Sequence, residues 1–131
     1  MDNEIKFFLM KEMIMKKTYR IKKEQDFQEI INARASFANR HLVLFIRDRK
    51  DGNHFRVGLS VGKKIGNAVM RNRVKRQLRV AVQELKPNLM QGMDLILIAR
   101  PRITQLSTKE VIKNVRHVCS LAGVIIEEDD K

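Results

Sequence analysis

The sequence predicts a single α/β (α+β) sandwich, a small mixed sheet packed with helices in the order α-β-β-(β)-α-β-α. Three observations predict it. Apolar residues recur at helical spacing in three segments. Two segments between the first and second of these alternate with period two, and a continuous apolar run, LILIA, lies between the second and the third. With 131 residues and 44% hydrophobic content, the chain has the size of one domain and enough apolar surface for a core, which argues against global disorder. No repeat, linker or low-complexity stretch divides it. One domain is expected over 19–125, between a flexible extension at 1–18 and an acidic tail at 126–131.

The elements follow in order. Residues 1–18 show no clean period. Met15 followed by KKTYRIKK reads as a translation start, so 1–14 is expected to be an extension without structural consequence. From about Lys23, Phe27, Ile30 and Ile31 recur at helical spacing, giving a short amphipathic helix to about Ala35, with room for a short strand at 35–40. In 41–47, Leu42, Leu44 and Ile46 occupy one face of a strand and Val43 and Phe45 the other. Asp51-Gly52 is a turn signal, and beyond it Phe55, Val57, Leu59 and Val61 alternate with Arg56, Gly58 and Ser60. The two runs read as a β-hairpin. From Ala68 to Leu85 the period changes: Met70, Val74, Leu78, Ala81, Val82 and Leu85 follow helical spacing behind Asn67 as N-cap, and Pro87 and Gly92 close the segment. Residues 94–100 hold LILIA, typical of a strand buried on both faces, and Pro101 ends it. Ser107-Thr-Lys-Glu110 is a capping box opening a helix with Val111, Val115, Val118 and Ala122 inward and Gly123 near its end.

Composition excludes several classes. The longest run free of charged residues is 117–126, short of the ~20 apolar residues that span a bilayer. The start, MDNEIKFFLMKEMIMKK, carries acids early and a short apolar run at 7–10, so it is not a secretory signal. A single cysteine, Cys119, rules out a disulfide framework and a cysteine-based zinc site. A reducing, cytoplasmic setting with no membrane partner is expected.

Charge is the strongest signal. Lys+Arg 27 against Asp+Glu 15 gives +12, which points to a polyanionic partner rather than a small-molecule substrate. Residues 52–83 hold no acid and eight cations, Arg56, Lys63, Lys64, Arg71, Arg73, Lys75, Arg76 and Arg79, leaving 19 basic and 15 acidic residues for the rest of the chain. A solvated surface mixes signs, so a one-sign block of this length points to a binding face. A smaller cluster, Lys16, Lys17, Arg20, Lys22 and Lys23, precedes the first helix.

Within KKIGNAVMRNRVKRQLR, Arg71, Lys75 and Arg79 form a stripe at i, i+4 and i+8 flanking the apolar face, with Arg76 beside it and Arg73 further round. Like charges at that spacing cost a helix a few tenths of a kcal/mol per pair, a repulsion that phosphates relieve. Lys63 and Lys64 lie just before the helix N-terminus, itself an anion site through its free N–H groups, and arginine forks grip phosphate oxygens in pairs. A membrane-surface or calmodulin-target helix fits less well, because the apolar face is claimed by the sheet. A DNA-reading helix lacks the preceding helix-turn-helix spacing, and a bare nuclear-localisation run is weaker still. Single-strand binders stack bases on aromatic rings, and Phe27 and Phe45, with Val43, fit the lining of such a groove; the pattern alone fits core positions equally well. Catalytic groups are scarce. His41, His54 and His117 are scattered without metal-ligand spacing, Cys119 falls beside the apolar stripe of the last helix, and no carboxylate pair, P-loop or HExxH is present.

The run GLSVGKKIGNAVMRNRVKRQLR resembles the signature of the protein subunit of bacterial ribonuclease P, with its Arg-Asn-Arg helix at Arg71, Asn72 and Arg73. The resemblance extends through KKEQDFQEI, FANRHLVLF and DLILIARP and the capping-box helix, covering about 20–124. It implies an RNA–protein enzyme that removes the 5′ leader from precursor tRNA. The catalytic centre and its magnesium ions would belong to the RNA subunit, and the protein alone would bind no cofactor. The implied partners are that RNA and the precursor leader, the latter held in a cleft between the sheet and the first helix. Phe27, Val43, Phe45 and Ser60 would form the cleft, with Arg71 and Asn72 at its edge. Lys63, Lys64, Arg73, Lys75, Arg76 and Arg79 would face RNA. The resemblance also implies a left-handed crossover between parallel strands, against the right-handed geometry of ~98% of such connections. Two departures stand out: Ile31 occupies the place of a second cleft phenylalanine and Phe45 that of a tyrosine, so weaker stacking and a missing hydroxyl hydrogen bond are expected. The rival class is a non-enzymatic RNA-binding protein, ribosomal or chaperone, which needs the basic helix but not the aromatic cleft.

Overall fold

A computed structural model describes residues 19–21, 23–50 and 54–126. In chain order it contains α1 (Glu24–Asn32), β1 (Ser36–Ala38), β2 (Leu42–Asp48), β3 (Arg56–Ser60), α2 (Ala68–Leu85), β4 (Met93–Ala99) and α3 (Thr108–Ala122). The expected order is therefore present, and the strand allowed at 35–40 is β1. The extension at 1–18 and the tail beyond Ile126 lie outside the described residues.

Local signals account for the longer helices. The Asn67 side chain accepts a hydrogen bond from Met70 N at 3.0 Å, capping α2. At α3, Ser107 Oγ accepts from Glu110 N at 3.2 Å while Ser107 N donates to Glu110 Oε1 at 3.0 Å. This is a complete capping box. Gly123, at φ 74°, takes the left-handed turn that ends α3. The first helix is shorter than expected. It stops at Asn32, where the chain turns and Arg34 adopts φ 60°.

The sheet order is β1-β2-β4-β3. β1 pairs antiparallel with β2, β2 antiparallel with β4, and β3 parallel with β4. The expected hairpin between β2 and β3 is thus a misreading: β4 lies between them, and the strand next to β2 in sequence and in space is β1. The physical reason is burial. β4 is apolar on both faces and needs cover on both, which the centre of a sheet provides, whereas β3 presents Arg56, Gly58 and Ser60 on one face and suits an edge. The turn signal Asp51-Gly52 lies outside the described residues. α2 forms the crossover between the parallel strands β3 and β4.

The two faces of the sheet differ. Leu42, Leu44, Val57, Leu95 and Leu97 face α2 and α3, meeting Val74, Leu78, Val82, Val111, Val115 and Val118 in the main core. Burying each such side chain contributes about 1.5–3 kcal/mol. The opposite face carries a smaller cluster in which Ile30 of α1 and Ile96 are fully buried, with Phe27, Ile31, Phe45 and Ile98 half-buried around them. α1 lies on this second face, and so does the candidate site.

Candidate RNA interface

Strand register sorts the second face into three rows. Val43, Ile98 and Ser60 form the first, Phe45, Ile96 and Gly58 the second, and Arg47, Asp94 and Arg56 the third. α1 covers the second and third rows. Its Phe27 rests on Gly58, where an added Cβ would lie 2.5 Å from Phe27 Cζ, so glycine here is required by close approach. The first row is left half open: Val43, Ile98 and Ser60 are each half-buried, as are Phe27, Ile31 and Phe45. The structure therefore brings Phe27, Val43, Phe45 and Ser60 onto one half-buried, largely apolar face.

Cations of the acid-free block lie at the β3 edge of this face. β3 runs from the third row toward the first, and beyond Ser60 the turn Lys63–Ile65 exposes both Lys63 and Lys64. Gly66, at φ 145°, leads the chain into α2. Lys75 and Arg79 of the predicted stripe border a cavity of about 200 Å³ together with Arg20, Phe27 and Gly58. One hollow at the β3 edge thus shares its walls between an aromatic ring of this face and two helix cations. Burial and the neighbouring Arg20 both depress the pKa of Arg79. Among the described residues, none of Lys63, Lys64, Arg71, Arg73, Lys75, Arg76 or Arg79 is in an ion pair with a carboxylate. Cations without a carboxylate partner among the described residues favour external anions.

Arg76, beside the stripe, borders with Arg73 a recess against Ser107 and Thr108. Asn72 is exposed on the same helix. Arg56, one of the eight cations of the acid-free block, is internally neutralised by Asp94, with Nε to Oδ1 at 2.8 Å and Nη2 to Oδ2 at 2.9 Å.

The histidines and the cysteine have partners or burial within the fold. His41 Nδ1 lies 2.9 Å from Asn114 Oδ1, His117 Nδ1 3.2 Å from Asn39 Nδ2, and His54 Nδ1 2.9 Å from Phe55 O. Burial pushes the Cys119 thiol up to about 12, far from a nucleophile's range.

The sequence model of the Ribonuclease P family matches residues 15–123. The chain belongs to the ribonuclease P protein family. It is 53% identical over 116 residues to the ribonuclease P protein component of Latilactobacillus sakei, covering 88% of this chain and 97% of that one. The corresponding protein of Enterococcus faecalis is 49% identical, with 85% and 94% covered. A solved structure of the Staphylococcus aureus RNase P protein superposes with a TM-score of 0.76 at 40% identity, over 82% of this chain and 97% of that one. Membership makes the chain an accessory protein subunit of an endoribonuclease of tRNA 5′ processing.

Two features of the face escaped the sequence reading. The first is Asp94, fully buried and ringed by Arg47, Arg49 and Arg56. A lone carboxylate heading an otherwise apolar strand was the available signal, but its partners emerge only from the register. The second is a broad open groove lined by Ala38, Asn39, Arg40, Arg100, Pro101 and Arg102, which continues the half-open row past Ala38 and brings three further arginines to its end. Arg40 lies some sixty residues before Arg100 and Arg102 in sequence, and all three lie outside the acid-free block.

Proposed function

We propose that the protein binds the ribonuclease P RNA and the single-stranded 5′ leader of precursor tRNA, and so promotes the cut that the RNA subunit makes. The observation that carries this reading is the shared wall of the β3-edge cavity, where Phe27 and the cations Lys75 and Arg79 meet. A flexible strand needs both kinds of contact. Bases stack on aromatic rings for ~1–3 kcal/mol each, while the backbone pairs with cations in a salt-dependent way. In this reading Phe27, Val43, Phe45 and Ser60 hold the leader, with Arg71 and Asn72 at its edge. Lys63, Lys64, Arg73, Lys75, Arg76 and Arg79 contact phosphates, and the division of α2 into two flanks lets one face the leader and the other the RNA subunit. Arg40, Arg100 and Arg102 extend the track.

Magnesium belongs to the RNA subunit in this scheme. Among the described residues no three His, Cys, Asp or Glu side chains converge, and both oxygens of buried Asp94 are taken by arginines. Among the described residues no helix is long and apolar enough to cross a membrane, and we place the protein's action in the cytoplasm.

Reconstitution with a ribonuclease P RNA at low magnesium tests the reading. Cleavage of precursor tRNA should be strongly enhanced by the protein. Tight RNA binding without enhancement would instead support the non-enzymatic alternative, a ribosomal or chaperone-type RNA binder.

A further inference from the structure

The third row of the cleft face holds a charged cluster that touches no proposed RNA contact, yet it is built with unusual completeness. Asp94 is fully buried and accepts five hydrogen bonds from Arg47, Arg49 and Arg56. Arg47 is arranged differently from a simple partner. Its Nε and Nη2 donate to Asp94 Oδ2 at 3.0 and 2.7 Å, which leaves Nη1 to donate to Glu29 Oε2 on α1 at 3.0 Å. Nη2 also lies 3.8 Å from Asp26 Oδ1 of the same helix. One guanidinium thus ties the central strand to the helix that carries Phe27.

Among the described residues, the other contacts that hold α1 to the sheet are apolar. α1 is nine residues long and has no side-chain N-cap, and helices this short are marginal without tertiary contacts. Its one fully buried residue is Ile30, seated against Ile96. At about 100° per residue, Phe27 and Ile31 project about 60° and 100° to one side of Ile30, and Asp26 and Glu29 about 40° and 100° to the other. Ile30 is therefore a fulcrum with the cleft residues on one flank and the Arg47 contacts on the opposite one. Releasing the second flank lets the helix roll and carries Phe27 away from its seat on Gly58.

We infer that Arg47 is a positioning residue of the cleft: by joining Asp94 to Glu29 it sets the roll of α1 and hence the distance between Phe27 and the sheet. The inference rests on the leader reading above. Arg47 acts through Phe27 and makes no contact with RNA itself. Its fork geometry matters, because two acceptors on two elements are held at once, which a lysine point charge cannot reproduce.

The test uses the full chain reconstituted with a ribonuclease P RNA, comparing affinity for a precursor bearing a long single-stranded leader with affinity for mature tRNA. R47M and R47K should each lower the leader-bearing affinity about three- to tenfold while leaving mature tRNA affinity and binding to the RNA subunit unchanged. E29A, at a 53% exposed carboxylate whose removal leaves the core intact, should shift the ratio in the same direction, and it decides the matter if R47M does not fold. Full retention of the leader preference in E29A, or in R47K, would overturn the positioning role. A wild-type complex that binds both ligands equally would instead overturn the leader reading itself.

Discussion

Phe27 of α1 sits so close to Gly58 of β3 that a methyl group at residue 58 would lie 2.5 Å from Phe27 Cζ. Either the Phe27 ring or the helix that carries it must shift to relieve such a contact. Gly58→Ala should therefore cost about 1–3 kcal/mol in urea unfolding and weaken binding of leader-bearing precursors more than of mature tRNA. In the Phe27→Ala background the stability cost of Gly58→Ala should largely vanish, a non-additivity that a double-mutant cycle measures directly.

The stripe on α2 predicts a salt signature. Arg71→Ala and Lys75→Ala should each make the dependence of log affinity on log salt shallower, by ~0.7–0.9 for every phosphate the deleted side chain had neutralised. Arg56→Gln should leave that slope alone, because Arg56 is engaged with Asp94 at 2.8–2.9 Å. An unchanged slope in both Arg71→Ala and Lys75→Ala would place these residues off the phosphates.

Asp94 links stability to acid. Burial raises its pKa, but the hydrogen bonds from Arg56, Arg47 and Arg49 outweigh burial and hold it below the ordinary carboxylate value. A carboxylate with a depressed folded-state pKa contributes stability that is fully present above its unfolded value, near ~4, and is lost as pH falls toward the folded one. Asp94→Asn should destabilise the protein by about 3–5 kcal/mol at neutral pH. It should also flatten the acid side of the stability profile, read from urea midpoints at successive pH values.

Cys119 is buried against the core of α3 and its thiol is pushed up to about 12. It should react with a disulfide reagent at pH 8 only at the rate of opening of the native state, and at full speed in denaturant. Rapid modification of the native protein would contradict the packing of α3.

Much of this architecture is written locally. Asn67, the Ser107–Glu110 box and Gly123 delimit two helices through contacts spanning three or four residues, so their limits can be read directly. Strand order cannot. Whether β3 pairs with β2 or β4 is decided by which strand most needs cover on both faces, a comparison across forty residues. The same holds for the site. Alternation places Val43 with Phe45 and Gly58 with Ser60, but only the insertion of β4 shows that these pairs share a face. The Arg47–Asp94–Arg56 row was hidden for that reason: no local pattern announces which arginines a buried aspartate will meet.

The central claim is that a strand of nucleotides lies between Phe27 and the α2 cations. The most direct measurement is the affinity of the reconstituted complex for precursors with leaders of increasing length, wild type against Phe27→Ala. The predicted result is a gain with leader length in the wild type that Phe27→Ala largely removes, with mature tRNA binding unchanged. Equal weakening for precursor and mature tRNA would return Phe27 to the core and contradict the account.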